Sequence, residues 1–145
     1  MFGGITHTPA VNLCETLVNI TPLGLDNVFL PDSGSVAVEV TPKMAFQYCI
    51  SMGKPHKNKL LSLLNGYHGD TFTAMSVCDP VNGMHHMFYQ VLAKHYFAPV
   101  PEIGLGEPWD ESDIAQFTTI ITAKKDELSA VILEPIAQGA GGMRF

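Results

Sequence analysis

Val28-Phe29-Leu30-Pro31-Asp32-Ser33-Gly34-Ser35-Val36-Ala37-Val38-Glu39 starts as an apolar run, turns through Ser33-Gly34-Ser35, and continues with helical spacing. The first N–H groups of a helix have no intrahelical partner, and the macrodipole adds partial positive charge there. A strand, a small-residue turn and a helix start in that order make a cup for an anion. Gly34 has no Cβ and lets an anion approach the backbone, while Ser33 and Ser35 add hydroxyl donors. The same residues also make a plain N-cap turn with no ligand, because Ser is common before a helix. The spacing is neither G-x-x-x-x-G-K-S/T nor G-x-G-x-x-G, so both nucleotide fingerprints are absent from this stretch.

Upstream, Thr8-Pro9 reads as a helix start, with Thr8 as N-cap and Pro9 in the first helical position. Ala10, Leu13, Cys14, Leu17 and Val18 follow as one apolar stripe. Thr21-Pro22-Leu23-Gly24 ends that helix, and Asn27 to Leu30 fits a strand buried on both faces. Downstream, Val36, Val40, Met44 and Tyr48 share a helical face, with Pro42 inside the helix. An interior proline removes a hydrogen bond and costs about 3 kcal/mol, so a bend near Val38–Pro42 is predicted, or a stop at Thr41 and a restart.

Lys59 to Leu64 is a strand pattern, followed by the loop Asn65-Gly66-Tyr67-His68-Gly69-Asp70 and a short helix capped by Asp70 or Thr71. Residues Asp79 to Pro101 read as loops, with a short helix over Met84–Leu92 and a short strand at Tyr96–Ala98. Asp110 caps the next helix, Asp113 holds the capping-box position, and Ile114, Phe117, Ile120 and Ile121 form its inner face. Ser129 to Leu133 is a buried-strand pattern leading to Glu134 and stopped by Pro135.

Alternating strands and helices imply an α/β fold, with a mostly parallel sheet and helices on both faces. Ligands of such sheets collect at the C-terminal strand ends. Ser33-Gly34-Ser35, Tyr67-His68 and Glu134 all fall there. Tyr67 can stack on a flat ligand or pack as an ordinary tyrosine. His68 is a base, a ligand or a hydrogen-bonded loop residue. Glu134 is an acid/base group, or a carboxylate paired with a cation. His85 and His86 are adjacent, which does not suit a shared metal.

The 145 residues amount to one domain or part of one, and 46% hydrophobic content is enough to bury a core. The net charge of −6 and the lack of a Lys/Arg run speak against nucleic acid and anionic membrane partners. Cys14, Cys49 and Cys78 have no metal spacing, which reads as reduced thiols in a cytoplasmic protein. No apolar run reaches membrane-spanning length. The glycine-rich run Gly141-Gly142-Met143-Arg144-Phe145 at the end reads as a truncation.

Three ordered motifs carry a resemblance: Asp32-Ser33-Gly34-Ser35-Val36-Ala37-Val38-Glu39, Asn65-Gly66-Tyr67-His68-Gly69-Asp70-Thr71, and Glu134-Pro135-Ile136-Ala137-Gln138-Gly139-Ala140-Gly141-Gly142-Met143. Together they resemble class III pyridoxal-phosphate aminotransferases. Phe2-Gly3-Gly4-Ile5-Thr6-His7 and Ala74-Met75-Ser76-Val77-Cys78-Asp79-Pro80 are most similar to the biotin-pathway member, which moves an amino group from S-adenosylmethionine to 8-amino-7-oxononanoate.

The resemblance implies a fold-type I transferase, a homodimer with its active site at the subunit interface, and pyridoxal phosphate as cofactor. By carry-over, Gly34 and Ser35 hold the cofactor phosphate, and Tyr67 stacks on the pyridine ring and borders the substrate. His68 supports that loop, and Glu134 sits beside the cofactor. Residues 1–145 would be part of the large cofactor-binding domain, without the N-terminal segment, the cofactor-binding lysine and its aspartate partner, or the C-terminal domain. That lysine attacks the cofactor and then shuttles the proton, so these residues alone are expected to be inactive. Pro42 departs from the family pattern.

Other readings stay open on the residues: another class III enzyme of the ornithine or diamine type, a non-catalytic phosphate-ligand or subunit-pairing protein, and a hydrolase using Ser33 or Ser35 with His68. The G-x-S-x-G elbow expected of the last is absent.

Overall fold

The computed structural model describes residues 4–104 and 106–139. The motif positions Phe2, Gly3 and Ala140-Gly141-Gly142-Met143 lie outside them. Two compact units divide the chain, Met1–Pro31 and Asp32–Phe145.

In the first unit, α1 spans Thr8–Ile20. Its N-cap is His7 rather than Thr8: His7 Nδ1 accepts from Ala10 N at 3.2 Å. An imidazole nitrogen can fill the capping role of a hydroxyl oxygen, and this moves the helix start one residue upstream. Ala10 is buried and Cys14, Leu17 and Val18 are half-buried, but Leu13 is 49% exposed and drops out of the expected stripe. Asn27–Leu30 forms no strand. Phe29 is 60% exposed, and the segment has no ladder partner among the described residues, so its apolar run does not become a doubly buried strand.

The second unit holds a three-stranded parallel sheet in the order β2-β1-β3, formed by β1 (Lys59–Leu63), β2 (Tyr96–Ala98) and β3 (Leu128–Val131). Its helices are α2 (Gly34–Ser51), α3 (Phe72–Val77) and α4 (Ala115–Lys124). Central β1 is buried on both pleats from Leu60 to Leu63 because both faces are covered. Leu61 and Leu63 join Ala98 and Leu128 in a core that Phe117, Ile120 and Ile121 of α4 cover. The alternate residue Ser62 is fully buried on the opposite pleat, and its hydroxyl donates to Val77 O of α3 at 2.8 Å. The expected parallel sheet with helices on both faces is thus present.

Pro42 does not divide α2, which runs unbroken through it; the stop at Thr41 does not occur. Thr41 Oγ1 bonds back to Ala37 O at 2.8 Å, one residue before the carbonyl that Pro42 leaves without its helical donor. In place of a helix over Met84–Leu92 there is one 3-10 turn, His86–Phe88, and the strand at Tyr96–Ala98 is present.

Asp110 caps as expected, accepting from Ser112 N at 2.9 Å, but it opens a 3-10 turn, Glu111–Ile114, ahead of α4. Asp113 is not a capping-box partner. It accepts from Glu102 N at 2.8 Å and Ile103 N at 3.1 Å, which ties down the preceding loop.

Two carboxylates fasten the loops around the sheet. Thr71 precedes α3 without capping it. Glu39 of α2 takes that role, accepting from Thr73 N at 2.9 Å, Thr73 Oγ1 at 2.5 Å and Thr71 Oγ1 at 2.7 Å. Asp79 accepts from Asn65 N at 2.8 Å, Val81 N at 2.7 Å and Asn82 N at 2.9 Å. Burial raises the pKa of each, but the donors outweigh it, Thr73 and Thr71 for Glu39 and Asn65, Asn82 and Val81 for Asp79, and both end below their ordinary values of 4.5 and 3.8.

A lowered folded pKa means that the unfolded chain binds the proton more readily. The stability these groups supply is therefore complete above the ordinary values and lost as pH falls through the lowered ones. Melting temperature is expected to decline on acidification in that window, and Glu39→Gln is expected to flatten part of the decline. An equal acid decline in Glu39→Gln would remove Glu39 from the account.

Candidate functional site

Ser33 is the N-cap of α2, and its Oγ accepts from Val36 N at 3.2 Å. The next two N–H groups, of Gly34 and Ser35, have no hydrogen-bond acceptor among the described residues. They are the orphan donors that a helix start presents to an anion. Ser35 Oγ accepts from Asp70 N at 3.0 Å, which leaves its own proton free to donate. An added Cβ on Gly34 would meet nothing within 4 Å, so the space before these donors is open.

Ser33, Gly34, Ser35 and Val38 share a hollow of about 450 Å³ with Tyr67, His68 and Gly69. The β1–α3 loop is held against the helix start by the Asp70 bond just given, and Thr71 Oγ1, whose proton is shared with Glu39, also lies 3.2 Å from Ser35 O. Gly69 makes the approach possible. Its φ is +128°, and an added Cβ would lie 2.9 Å from Ser35 Cα. Asn65 also adopts positive φ, at 59°, turning the chain out of β1.

His68 Nε2 lies 3.2 Å from Ser62 Oγ. Ser62 commits its proton to Val77 O, so the imidazole must donate, which places the His68 proton on Nε2. Burial lowers the His68 pKa, and the charge of Glu134 opposes this. His68 is therefore a neutral ring bonded into the wall behind the loop. It pairs with Ser62 rather than with Ser33 or Ser35, so the hydrolase pairing is not formed.

Glu134 Oε1 accepts from Tyr67 N at 2.9 Å, and Oε2 accepts from Gly139 N at 2.7 Å. The carboxylate does not line the hollow; it clamps the backbone of Tyr67 to the chain following β3. Gln138 adds a second tie, Nε2 to Leu64 O at 3.0 Å.

The structure thus brings Gly34, Ser35, Tyr67 and His68 together around one hollow and sets Glu134 behind it. No strand at Asn27–Leu30 leads to the hollow; the loop after β1 lines it through Tyr67, and the chain after β3 supports Tyr67 from behind through Glu134. The sequence offers Asp70 only as a helix cap and gives no role to Glu39 or Gly69, although all three lie inside the quoted motifs. Four lysines are engaged elsewhere. Lys57 bonds the carbonyls of Lys125 and Leu128, Lys59 bonds Lys94 O, Lys94 bonds Tyr89 O, and Lys124 pairs with Glu127.

The sequence model of the family described as aminotransferase class III matches residues 1–145. The chain belongs to the class III aminotransferases. Among curated class III relatives, adenosylmethionine-8-amino-7-oxononanoate aminotransferase of Buchnera aphidicola from Acyrthosiphon pisum is 52% identical over all of this chain and 34% of its own length. The enzyme of that name from Mycobacterium leprae is 51% identical over all of this chain and 32% of its own.

The crystal structure of the adenosylmethionine-8-amino-7-oxononanoate aminotransferase of Methanocaldococcus jannaschii matches with a TM-score of 0.84 at 34% identity. It covers 99% of this chain and 31% of that one. An omega transaminase of Pseudomonas jessenii in complex with PMP matches with a TM-score of 0.80 at 27% identity, over 99% of this chain and 33% of that one. The chain therefore spans about a third of the length of the class III aminotransferases it matches.

Proposed function

We propose that the protein carrying this chain is a pyridoxal-phosphate enzyme of biotin biosynthesis. It transfers an amino group from S-adenosylmethionine to 8-amino-7-oxononanoate and yields 7,8-diaminononanoate. The observation that carries the cofactor is the pair of unfilled N–H donors at Gly34 and Ser35, facing a hollow bordered by Tyr67. That donor set suits a phosphate dianion. The choice of substrates rests on relatives of that name at 52% and 51% identity.

When bound, pyridoxal phosphate supplies a reactive carbonyl and an electron sink for amino transfer. The chain's own residues hold and orient it. Gly34 N–H, Ser35 N–H and the Ser35 hydroxyl bind the phosphate, and Tyr67 covers the ring and borders the substrate. His68, neutral and bonded to Ser62, keeps the loop in place, and Glu134 fixes the Tyr67 backbone from behind. Residues 1–145 are part of the cofactor-binding large domain on this reading, and the whole enzyme is a cytoplasmic homodimer. On the same reading the lysine that bonds the cofactor is none of those in residues 1–145, and these residues alone are expected to show no turnover.

Amino-transfer assays on the whole protein test the reading. S-adenosylmethionine is expected to serve as donor to 8-amino-7-oxononanoate. Turnover with ornithine or a diamine, and none with S-adenosylmethionine, would reassign the enzyme within class III. Ser35→Ala is expected to weaken pyridoxal phosphate binding by roughly tenfold, the loss of one hydrogen bond to a charged group. An unchanged dissociation constant in a cofactor titration would remove Ser35 from the site.

A further inference from the structure

The segment after α3 is built tightly around one side chain that the proposed function does not use. The Asp79 carboxylate accepts the Val81 and Asn82 N–H groups, and an added Cβ on Gly83 would overlap the Asp79 carbonyl. The chain therefore turns back sharply at this point. It then enters the 3-10 turn, where Phe88 N donates to His85 O at 2.9 Å and the Phe88 ring meets Phe72 of α3. This turn delivers His85, which is 9% exposed, to the Tyr67 ring. The two rings are stacked, with centroids 5.8 Å apart and planes 25° apart.

His85 Nε2 is buried and makes no hydrogen bond among the described residues. Asp70 Oδ1 lies 3.4 Å from it. The buried imidazole is therefore held by its stack on the Tyr67 ring and by the Asp70 carboxylate facing Nε2. Asp70 also acts on Tyr67: its carboxylate beside the phenol, with burial, pushes the Tyr67 pKa up to about 12.

We infer that His85 is a positioning residue for Tyr67: its ring occupies one face of the tyrosine and fixes the plane that the other face offers to the cofactor. The inference rests on the pyridoxal phosphate reading of the hollow. The contribution of this aromatic pair reaches the cofactor only through Tyr67.

The test uses the whole protein as wild type, His85→Ala, His85→Phe, Tyr67→Ala and the double variant. Three readouts are followed: the pyridoxal phosphate dissociation constant, the visible circular dichroism of the bound cofactor, and the melting temperature. His85→Ala is expected to weaken binding roughly three- to tenfold and to reduce the dichroism of the cofactor. His85→Phe keeps the stack and is expected to stay within about twofold of wild type. In the Tyr67→Ala background, removing His85 is expected to add nothing to the loss of affinity.

An equal loss in both backgrounds would mean that His85 acts through general packing, and the inference would be overturned. Weak binding in His85→Phe equal to that of His85→Ala would overturn the stack as the cause. If His85→Ala does not fold, His85→Leu fills the volume without a ring and carries the same expectation. If Tyr67→Ala binds the cofactor as wild type does, the assignment of Tyr67 to the cofactor fails and the inference falls with it. If Tyr67→Ala is weakened and His85→Ala is not, the inference alone falls.

Discussion

Gly69→Ala is expected to destabilise the protein by roughly 2–6 kcal/mol, the sum of backbone strain and overpacking. Gly69 has φ +128°, where an L side chain is strained, and its new methyl group would lie 2.9 Å from both Cα and Cβ of Ser35. Ser35 Cα belongs to the first turn of α2, so a rotamer change cannot relieve the contact. The β1–α3 loop would have to withdraw, breaking the Asp70 N to Ser35 Oγ bond that joins the two halves of the hollow. Urea denaturation should show a lower midpoint with an unchanged slope, and cofactor affinity should fall with it. Gly34→Ala is the control, since a Cβ there meets nothing within 4 Å. Equal stability of Gly69→Ala and wild type would contradict the close approach.

Gly34→Asp is expected to separate binding from folding. Gly34 is the first residue of α2, and its exposed, empty surroundings accept a side chain. A carboxylate in the first turn of a helix is favourable by about 0.3–1 kcal/mol, so the melting temperature should hold or rise. The same charge would oppose a phosphate dianion. Unit charges 4 Å apart interact by about 4 kcal/mol at an effective dielectric of 20, so pyridoxal phosphate affinity should fall by roughly two orders of magnitude or more. Added salt should recover part of the loss at this exposed position. Unchanged affinity would mean that the phosphate does not sit at this helix start.

Short-range patterns carried much of the fold in the sequence. The strand pattern at Lys59–Leu64, the inner face of Phe117, Ile120 and Ile121, and the Ser33 cap all appear in the structure because each depends on neighbours a few residues away. Asn27–Leu30 failed for the opposite reason. An apolar run signals a need for burial, while a strand also needs a paired backbone, and pairing is a property of distant segments.

Long-range ties were equally hidden. Glu39 reads as an ordinary helix residue, yet it caps α3 across 34 positions of sequence. Asp113 has the spacing of a capping box, yet its carboxylate is taken by two loop N–H groups. Adjacent His85 and His86 suggested no shared metal, and nothing local showed that the ring of His85 stacks on Tyr67. The site itself was more legible than these supports. Ser33-Gly34-Ser35 and the Tyr67 loop carry their chemistry in their own residue types, and the ordered motifs linked them to one family.

The most direct test of the central claim is a crystal structure of the whole protein with pyridoxal phosphate bound. The account predicts phosphate oxygens within hydrogen-bond distance, about 2.7–3.2 Å, of Gly34 N, Ser35 N and Ser35 Oγ, with the cofactor ring against Tyr67. A phosphate bound elsewhere, with the start of α2 facing only solvent, would contradict it.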